Sequence, residues 1–344
     1  DSGMAALKVG LMGLGRGGQR VAEVLLHSSW CELVAVGSSK PERIDLFTSR
    51  YPGIAAYNDF RLLIVSSTLD ALFVAAPPYL RSKYLALAAE RGVPVWMLPP
   101  PARRFQEALE VLRPFESAGC PIVVSRSWGI EPGLQWDALG LDRIGRFFFG
   151  RANVMMCRDE DLDWRGDLQR AGGGVLLDRA YPIVDCLVQG MGMPSTVYAR
   201  TSGGLRAGDR SSYDTEDTAG LVCQFAHGGL AVLSACWTAG PAQESLDLHG
   251  ADGAVHIDAR EVVVGDRTGQ TEVSRQSRPE NVFRPQIEDF LNELASSPRR
   301  MRSTLRQHLP TLALIEAAYL SARTGQPESL ATIFDIHDVS LPSA

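Results

Sequence analysis

The chain has 344 residues, 45% of them apolar and 22% charged, with a formal net charge of −6. That length exceeds one ordinary core and predicts about two domains, while the balanced composition excludes a disordered chain and supplies no polybasic surface for nucleic acid or anionic membrane. No apolar run reaches the roughly 18 residues of a membrane span, so a cytoplasmic protein without membrane contact is expected.

Asp1-Ser2-Gly3 ahead of Met4 reads as a cloning remnant. From there, short β-branched or apolar runs alternate with longer helical patterns. Strands are predicted at Leu7 to Met12, Leu33 to Val36, Ala71 to Ala75, Val95 to Met97 and Ile122 to Val124. Helices are predicted at Gln19 to Leu26, Pro41 to Arg50, Leu80 to Arg91 and Phe105 to Ala118, the last three with apolar residues three and four apart. Strand and helix in alternation give an α/β domain with a doubly wound parallel sheet over residues 4–125. After about Ser125 the runs lengthen: Phe147 to Met156, Ala219 to Phe225, Gly229 to Thr238 and Glu244 to His249, parted by Gly-rich turns. That order predicts an α+β domain with a mostly antiparallel open sheet over residues 126–344, closed by helices at Arg284 to Ala295 and His308 to Arg323. The second of these carries Leu309, Leu312, Ile315, Ala318 and Tyr319 on one face.

Six cysteines lie scattered without a C-x-x-C pair, which predicts reduced, mostly buried thiols. The six histidines show no metal-ligand spacing, so no metal site is expected. Lys8, Lys40 and Lys83 are the only lysines, and any lysine chemistry must come from them.

Gly13-Leu14-Gly15-Arg16-Gly17-Gly18 follows the first strand and opens a helix. Glycines in that context allow a tight turn and let backbone amides approach a pyrophosphate at the positive end of the helix, so residues 4–125 read as a dinucleotide-binding Rossmann domain. About 20 residues after the last glycine, an NAD binder carries an acid for the ribose 2′-hydroxyl. Here Ser38-Ser39-Lys40 stands in that loop, with Arg43 beyond, and hydroxyls with cations suit a 2′-phosphate. NADP is therefore favoured, with NAD the alternative. The expected cofactor contacts are Gly13, Gly15, Arg16, Gly18, Ser38, Ser39 and Lys40, joined by Pro77 and Pro78 after the strand Ala71 to Ala75.

Together with this fingerprint, Asp70-Ala71-Leu72-Phe73-Val74-Ala75-Ala76-Pro77-Pro78, Gly172-Gly173-Gly174-Val175-Leu176-Leu177-Asp178 and the run from Glu316 to Gly325 resemble the Gfo/Idh/MocA oxidoreductases. The resemblance spans nearly the whole chain. It implies a nicotinamide cofactor, a sugar or cyclitol substrate, and a homodimer or homotetramer formed through the open sheet of the second domain. It also implies a lysine in a Glu-Lys-Pro run after the fifth strand and a histidine in Asp-x-x-x-His. This chain has Leu98-Pro99-Pro100 and Asp178-Arg179-Ala180-Tyr181-Pro182 at those places. The histidine usually found three residues after the Pro-Pro pair is replaced by Arg81. Oxidising an alcohol requires an acceptor for the hydroxyl proton, and the usual two are prolines.

The remaining candidates for chemistry are Asp178, whose plain alternative is a helix cap, and Tyr181, which could donate a proton to a carbonyl or fill a core. Arg81 could hold a carboxylate or phosphate bidentately, or be an ordinary helix residue. Trp164-Arg165 pairs an aromatic plate with a guanidinium, suited to a polar ring, and Trp164 serves equally as a core anchor. Three readings stay open: an oxidoreductase with a rebuilt site that favours reduction of a small carbonyl, a cofactor-binding sensor or partner protein without catalysis, and a degenerate subunit of an active homologue.

Overall fold

The computed structural model describes residues 6–126, 141–157, 162–204, 213–258, 260–275, 281–296 and 301–342. Asp1-Ser2-Gly3 and Met4 lie outside them. The chain divides into two compact units, one formed by residues 1–102, 107–126 and 279–307, the other by 103–106, 127–278 and 308–344.

The first unit is built on six parallel strands in the order β3-β2-β1-β4-β5-β6. These are β1 (Leu7–Met12), β2 (Cys31–Gly37), β3 (Ala55–Tyr57), β4 (Ala71–Val74), β5 (Val95–Met97) and β6 (Ile122–Val124). Strands covered on both faces need apolar residues at every position rather than at alternate ones, and Ala71, Leu72, Phe73 and Val74 are all fully buried. Between the strands run α1 (Arg16–His27), α2 (Pro41–Arg50), α3 (Phe60–Ser66), α4 (Pro78–Glu90) and α5 (Phe105–Ser117). Val21, Ala22, Val24 and Leu25 form the inward stripe of α1.

The sequence places residues 279–307 in the second domain, whereas in the structure they complete the first. Their helix, Arg284–Ser296, buries Ile287, Phe290 and Leu291. Phe290 meets Phe73 edge-on at 5.7 Å, and Phe283 meets Trp96 at 6.0 Å. Asn281 Nδ2 donates to the Arg20 carbonyl at 2.7 Å. The Val124 amide donates to the Ser303 carbonyl at 2.9 Å, and Ser303 Oγ returns a bond to the Val124 carbonyl at 2.6 Å. Such pairing across a long sequence separation leaves no local trace in the helix itself.

The second unit is one nine-stranded sheet in the order β14-β13-β12-β11-β7-β10-β9-β8-β15. Its strands are β7 (Phe147–Cys157), β8 (Thr196–Ser202), β9 (Thr218–Gln224), β10 (Leu230–Cys236), β11 (Thr238–Gly250), β12 (Gly253–Asp258), β13 (Glu261–Asp266), β14 (Thr271–Arg275) and β15 (Glu328–Ser329). Among the described residues every pairing is antiparallel except β7 with β10. Two short helices, α6 (Leu168–Ala171) and α7 (Val175–Asp178), precede α8 (Tyr181–Met191). After α9, the Arg284–Ser296 helix of the first unit, come α10 (Leu309–Thr324) and α11 (Leu330–Ile336). Helix α8 packs on β7 and α10 on β8. A Cβ at Gly150 of β7 would lie 2.6 Å from Met191 Sδ, so glycine lets the helix come close.

Strand β9 alternates, with Ala219, Leu221 and Cys223 buried and Gly220, Val222 and Gln224 exposed. Leu233 and Trp237 also turn inward, while Leu230 stays open. Helix α10 departs from the one-faced pattern read in its sequence: Leu309, Pro310, Thr311, Leu312, Ala313, Leu314, Ile315, Ala317 and Ala318 are all buried. It lies between the sheet and helices α8 and α11, so little of its surface meets water.

Candidate functional site

Strand β1 lies between β2 and β4, so the connections leaving β1 and β4 run to opposite sides and open a crevice at the carboxyl ends of these two strands. Gly13 enters it with φ +104°, and a Cβ there would stand 2.5 Å from the Ala76 amide nitrogen. Gly18 packs the helix on the turn: its Cβ would fall 1.9 Å from the Gly13 carbonyl oxygen. Both positions are closed to any side chain.

Gly15 differs. It caps α1 in an extended conformation with no side-chain hydrogen bond, and a Cβ there would meet only Arg43 Nη1, at 3.3 Å. The amide end of a 12-residue helix is thereby left accessible beside a guanidinium, which is the donor set a pyrophosphate requires. Arg16, in the first turn, is exposed. The residues present thus fit a dinucleotide.

In the loop after β2, Ser38 is buried. Its Oγ accepts the Lys40 amide at 3.1 Å and its own amide donates to the Tyr57 carbonyl at 3.1 Å, so Ser38 closes the turn. Ser39 and Lys40 are exposed. Pro77 and Pro78 start α4, with Pro77 half-buried and Pro78 buried.

Two sequence expectations are corrected. Arg81 does not present its guanidinium to a ligand: the residue is 1% exposed. Nη1 donates to the carbonyls of Ala76 at 3.0 Å and Leu98 at 3.1 Å, and Nη2 donates to the Pro100 carbonyl. Arg81 therefore ties the start of α4 to the Pro99-Pro100-Pro101 loop after β5. Tyr181 is equally enclosed, at 1% exposure. Its hydroxyl lies 3.0 Å from His308 Nδ1, which is 3.2 Å from Asp185 Oδ1, and Thr311 Oγ1 donates to the same carboxylate oxygen at 2.8 Å. A phenol locked into a buried polar network is a core anchor, and access to substrate is closed to it.

Three other candidates come together in the second unit. The Arg165 guanidinium lies over the Trp164 ring at 4.4 Å and its Nε donates to Asp178 Oδ1 at 2.8 Å. Arg179 Nε stands 3.7 Å from the other carboxylate oxygen. The Asp178 side chain keeps 13% of its surface exposed and that of Arg165 32%. The cluster thus presents an aromatic face, a guanidinium held by a carboxylate, and a carboxylate that still reaches solvent. Pro182 lies in the first turn of α8, and Pro99 follows Leu98, the first residue after β5.

Glu216 was not singled out from the sequence. Its carboxylate accepts the amides of Gly174 at 2.6 Å and Leu176 at 3.0 Å and the Tyr319 hydroxyl at 2.8 Å, holding the glycine run in place. Burial raises its pKa more than these bonds lower it. The Tyr319 phenol is pushed well above its usual range, first by burial and then by the Glu216 charge. Glu216 precedes Asp217 and β9 without a local signature, so only the three-dimensional contact reveals it. Lys83 is exposed and rests over the Tyr84 ring at 4.8 Å. Among the described residues no helix is long and apolar enough to cross a membrane.

Residues 7–126 match the family described as "Oxidoreductase family, NAD-binding Rossmann fold", and residues 138–256 match the "GFO/IDH/MocA C-terminal domain". The chain is 24% identical to the D-apiose dehydrogenase of Paraburkholderia graminis over 320 residues, covering 88% of this chain and 84% of that one. It is also 24% identical to D-xylose 1-dehydrogenase (NADP(+)) 2 of Haloferax volcanii, covering 91% of this chain and 97% of the relative. In fold it is similar to the WlbA dehydrogenase from Bordetella pertussis, solved with NADH and UDP-GlcNAcA, with a TM-score of 0.79, 23% identity, and coverage of 99% of this chain and 100% of the other.

Proposed function

Because the chain belongs to the Gfo/Idh/MocA oxidoreductase family, we propose that it is an NAD(P)-dependent oxidoreductase acting on a sugar-like alcohol or carbonyl. The observation that carries this reading is the uncapped α1 terminus at Gly15, placed where the connections leaving β1 and β4 part and flanked by Arg43. The sugar dehydrogenases among the relatives supply the substrate class.

A bound nicotinamide cofactor would supply hydride exchange with a substrate carbon. The chain's part is to hold, orient and manage protons. Gly13 and Gly18 shape the turn, Gly15 leaves amides free for the pyrophosphate, and Ser39, Lys40 and Arg43 favour a 2′-phosphate and hence NADP. We assign Trp164 to the apolar face of the sugar ring and Arg165 to its hydroxyls or a carboxylate. Asp178 is assigned to exchange a proton with the reacting oxygen, directly or through water. Pro99 and Pro182 stand where the family pattern carries lysine and histidine, which supports a rebuilt site better suited to carbonyl reduction than to alcohol oxidation. The open face of the sheet of the second unit is assigned to self-association.

The test combines NADPH binding, followed by its fluorescence, with NADPH oxidation against a panel of sugar carbonyls. Gly15→Val should abolish binding, whereas Asp178→Asn should preserve it and lower turnover about 10²- to 10⁴-fold. Pro99→Lys with Pro182→His should raise alcohol oxidation. Equal affinity for NAD and NADP would remove the 2′-phosphate assignment, and tight binding with no turnover of any panel member would overturn the enzymatic reading.

A further inference from the structure

The second unit contains a cleft of about 360 Å³, and every residue lining it belongs to that unit. This volume lies at the small end of ligand sites, which run from roughly 300 to 1,000 Å³, and is too small for a dinucleotide. Its floor is apolar: Leu177, Leu312 and Ile315 are buried to within 2%. Trp164, Arg165 and Asp178 take no part in its lining. The cleft is therefore distinct from the cluster assigned to the sugar substrate.

Charged side chains of both signs surround that floor. The three carboxylates already serve the fold: Asp214 Oδ1 accepts the Leu168 amide at 2.6 Å, Glu316 Oε2 accepts the Phe105 amide at 2.7 Å, and Glu216 holds the glycine run. Each amide takes up one oxygen of Asp214 and Glu316, leaving the second to accept a ligand hydroxyl. Of the cations, Arg103 donates Nη1 to the Gln169 carbonyl at 2.7 Å. Arg104 and Arg323 are exposed on the cleft wall, and Arg323 is anchored in the last turn of α10. Two guanidinium groups available to an anion, with carboxylate oxygens beside them for hydroxyls and an apolar floor for a carbon skeleton, define one kind of ligand.

We propose that this cleft is a second binding site, which takes a small polyhydroxylated anion, a sugar acid or a sugar phosphate, through Arg104 and Arg323. The proposal is independent of whether the protein turns over NADPH.

Isothermal titration of the full chain without cofactor, using D-gluconate, D-glucose 6-phosphate and neutral D-glucose, tests it. At least one anion should bind more tightly than D-glucose, with the stronger anion identifying carboxylate or phosphate as the preferred group. Arg104→Ala combined with Arg323→Ala should raise the dissociation constant tenfold or more with no change in melting temperature, since both side chains are exposed. Arg323→Gln alone should give a smaller shift in the same direction, and serves if the double variant folds poorly. Asp178→Asn should leave the constant unchanged. The proposal is overturned if neither anion binds, if D-glucose binds as well as the anions, if the arginine variants bind like the parent, or if Asp178→Asn weakens binding as much as they do.

Discussion

An enclosed guanidinium survives only where hydrogen bonds replace its hydration, and Arg81 finds them in the carbonyls of Ala76, Leu98 and Pro100. The planar fork spans acceptors from two separate loops, which a lysine ammonium cannot do. Arg81→Lys and Arg81→Leu should both lower unfolding free energy by about 2–3 kcal/mol in urea titrations, since hydrogen bonds to a charged donor contribute about 1.5–3 kcal/mol. A loss below about 0.5 kcal/mol in both variants would show that the clamp does not hold the loop. The thiols supply a second prediction. Burial pushes Cys223 up to about 12 and Cys31 and Cys120 up to about 11. A thiol whose folded pKa lies above its unfolded value stabilises the fold fully below the unfolded value of 9.0, and that contribution is lost as pH rises towards 12. Stability should therefore fall through this alkaline window, with Cys223 alone giving a slope of about 1.4 kcal/mol per pH unit. Cys223→Ala should be less stable at pH 8 but flatter with pH, as measured by urea unfolding at several pH values. Parallel curves for parent and variant would contradict the assignment.

At the scale of elements, legibility follows how local the signal is. The fingerprint from Gly13 to Gly18 is legible because turn, helix start and glycine requirement lie within a few residues, and β1, β5 and β6 match their sequence runs to the residue. Strand β3 escaped because Ala55-Ala56-Tyr57 is half-exposed and has none of the β-branched residues that mark the equally short but fully buried β5 and β6, and helix α3 escaped because its seven residues, Phe60–Ser66, are too few for a helical period to emerge. Strands β12 and β13 are hidden by glycine, aspartate and histidine among their apolar residues, and β14 by having Val273 as its one apolar residue. The regular half of β11 was visible at Glu244 to His249, while its first half, interrupted by a register shift between Thr238 and Gln243, was not. For Arg81 and Tyr181 the sequence leaves a chemical and a packing role open for one shared reason: residue type advertises chemistry, but burial depends on what distant segments place over the side chain. Trp164, Arg165 and Asp178 could each be named from the sequence, whereas their meeting depends on the turn between α6 and α7. His308 and Glu216 carried no signal, since their partners lie 127 and 103 positions away in the cases of Tyr181 and Tyr319.

For the whole molecule, the outer face of the nine-stranded sheet is the feature that bears on assembly. Tyr198, Val222 and Val232 lie side by side across β8, β9 and β10. Tyr198 is 40% exposed, Val222 47% and Leu230, on the same face as Val232, 45%. Apolar side chains gathered on one sheet face favour burial against a second surface, and a second copy of the sheet would provide it. Light scattering at micromolar concentration should give a dimer or tetramer. Val222→Asp with Leu230→Asp should yield a monomer of unchanged melting behaviour, because neither side chain supports the interior. A monomeric parent would refute the assignment.

The first unit also has a history imposed by its chain order. Its sheet is finished at β6, but Phe283, Phe290 and Ser303 come from a segment translated only after most of the other unit. While a ribosome is still making the strands between them, Phe73 and Trp96 wait without their aromatic cover, although domains ordinarily fold as their own residues emerge. The nucleotide-binding half is thus begun first and completed late, which leaves the apolar surface of Phe73 and Trp96 without its cover during that interval. A messenger truncated after β6 would yield an adhesive fragment instead of a freestanding module, so this half cannot be transplanted by cutting the gene at the apparent domain boundary.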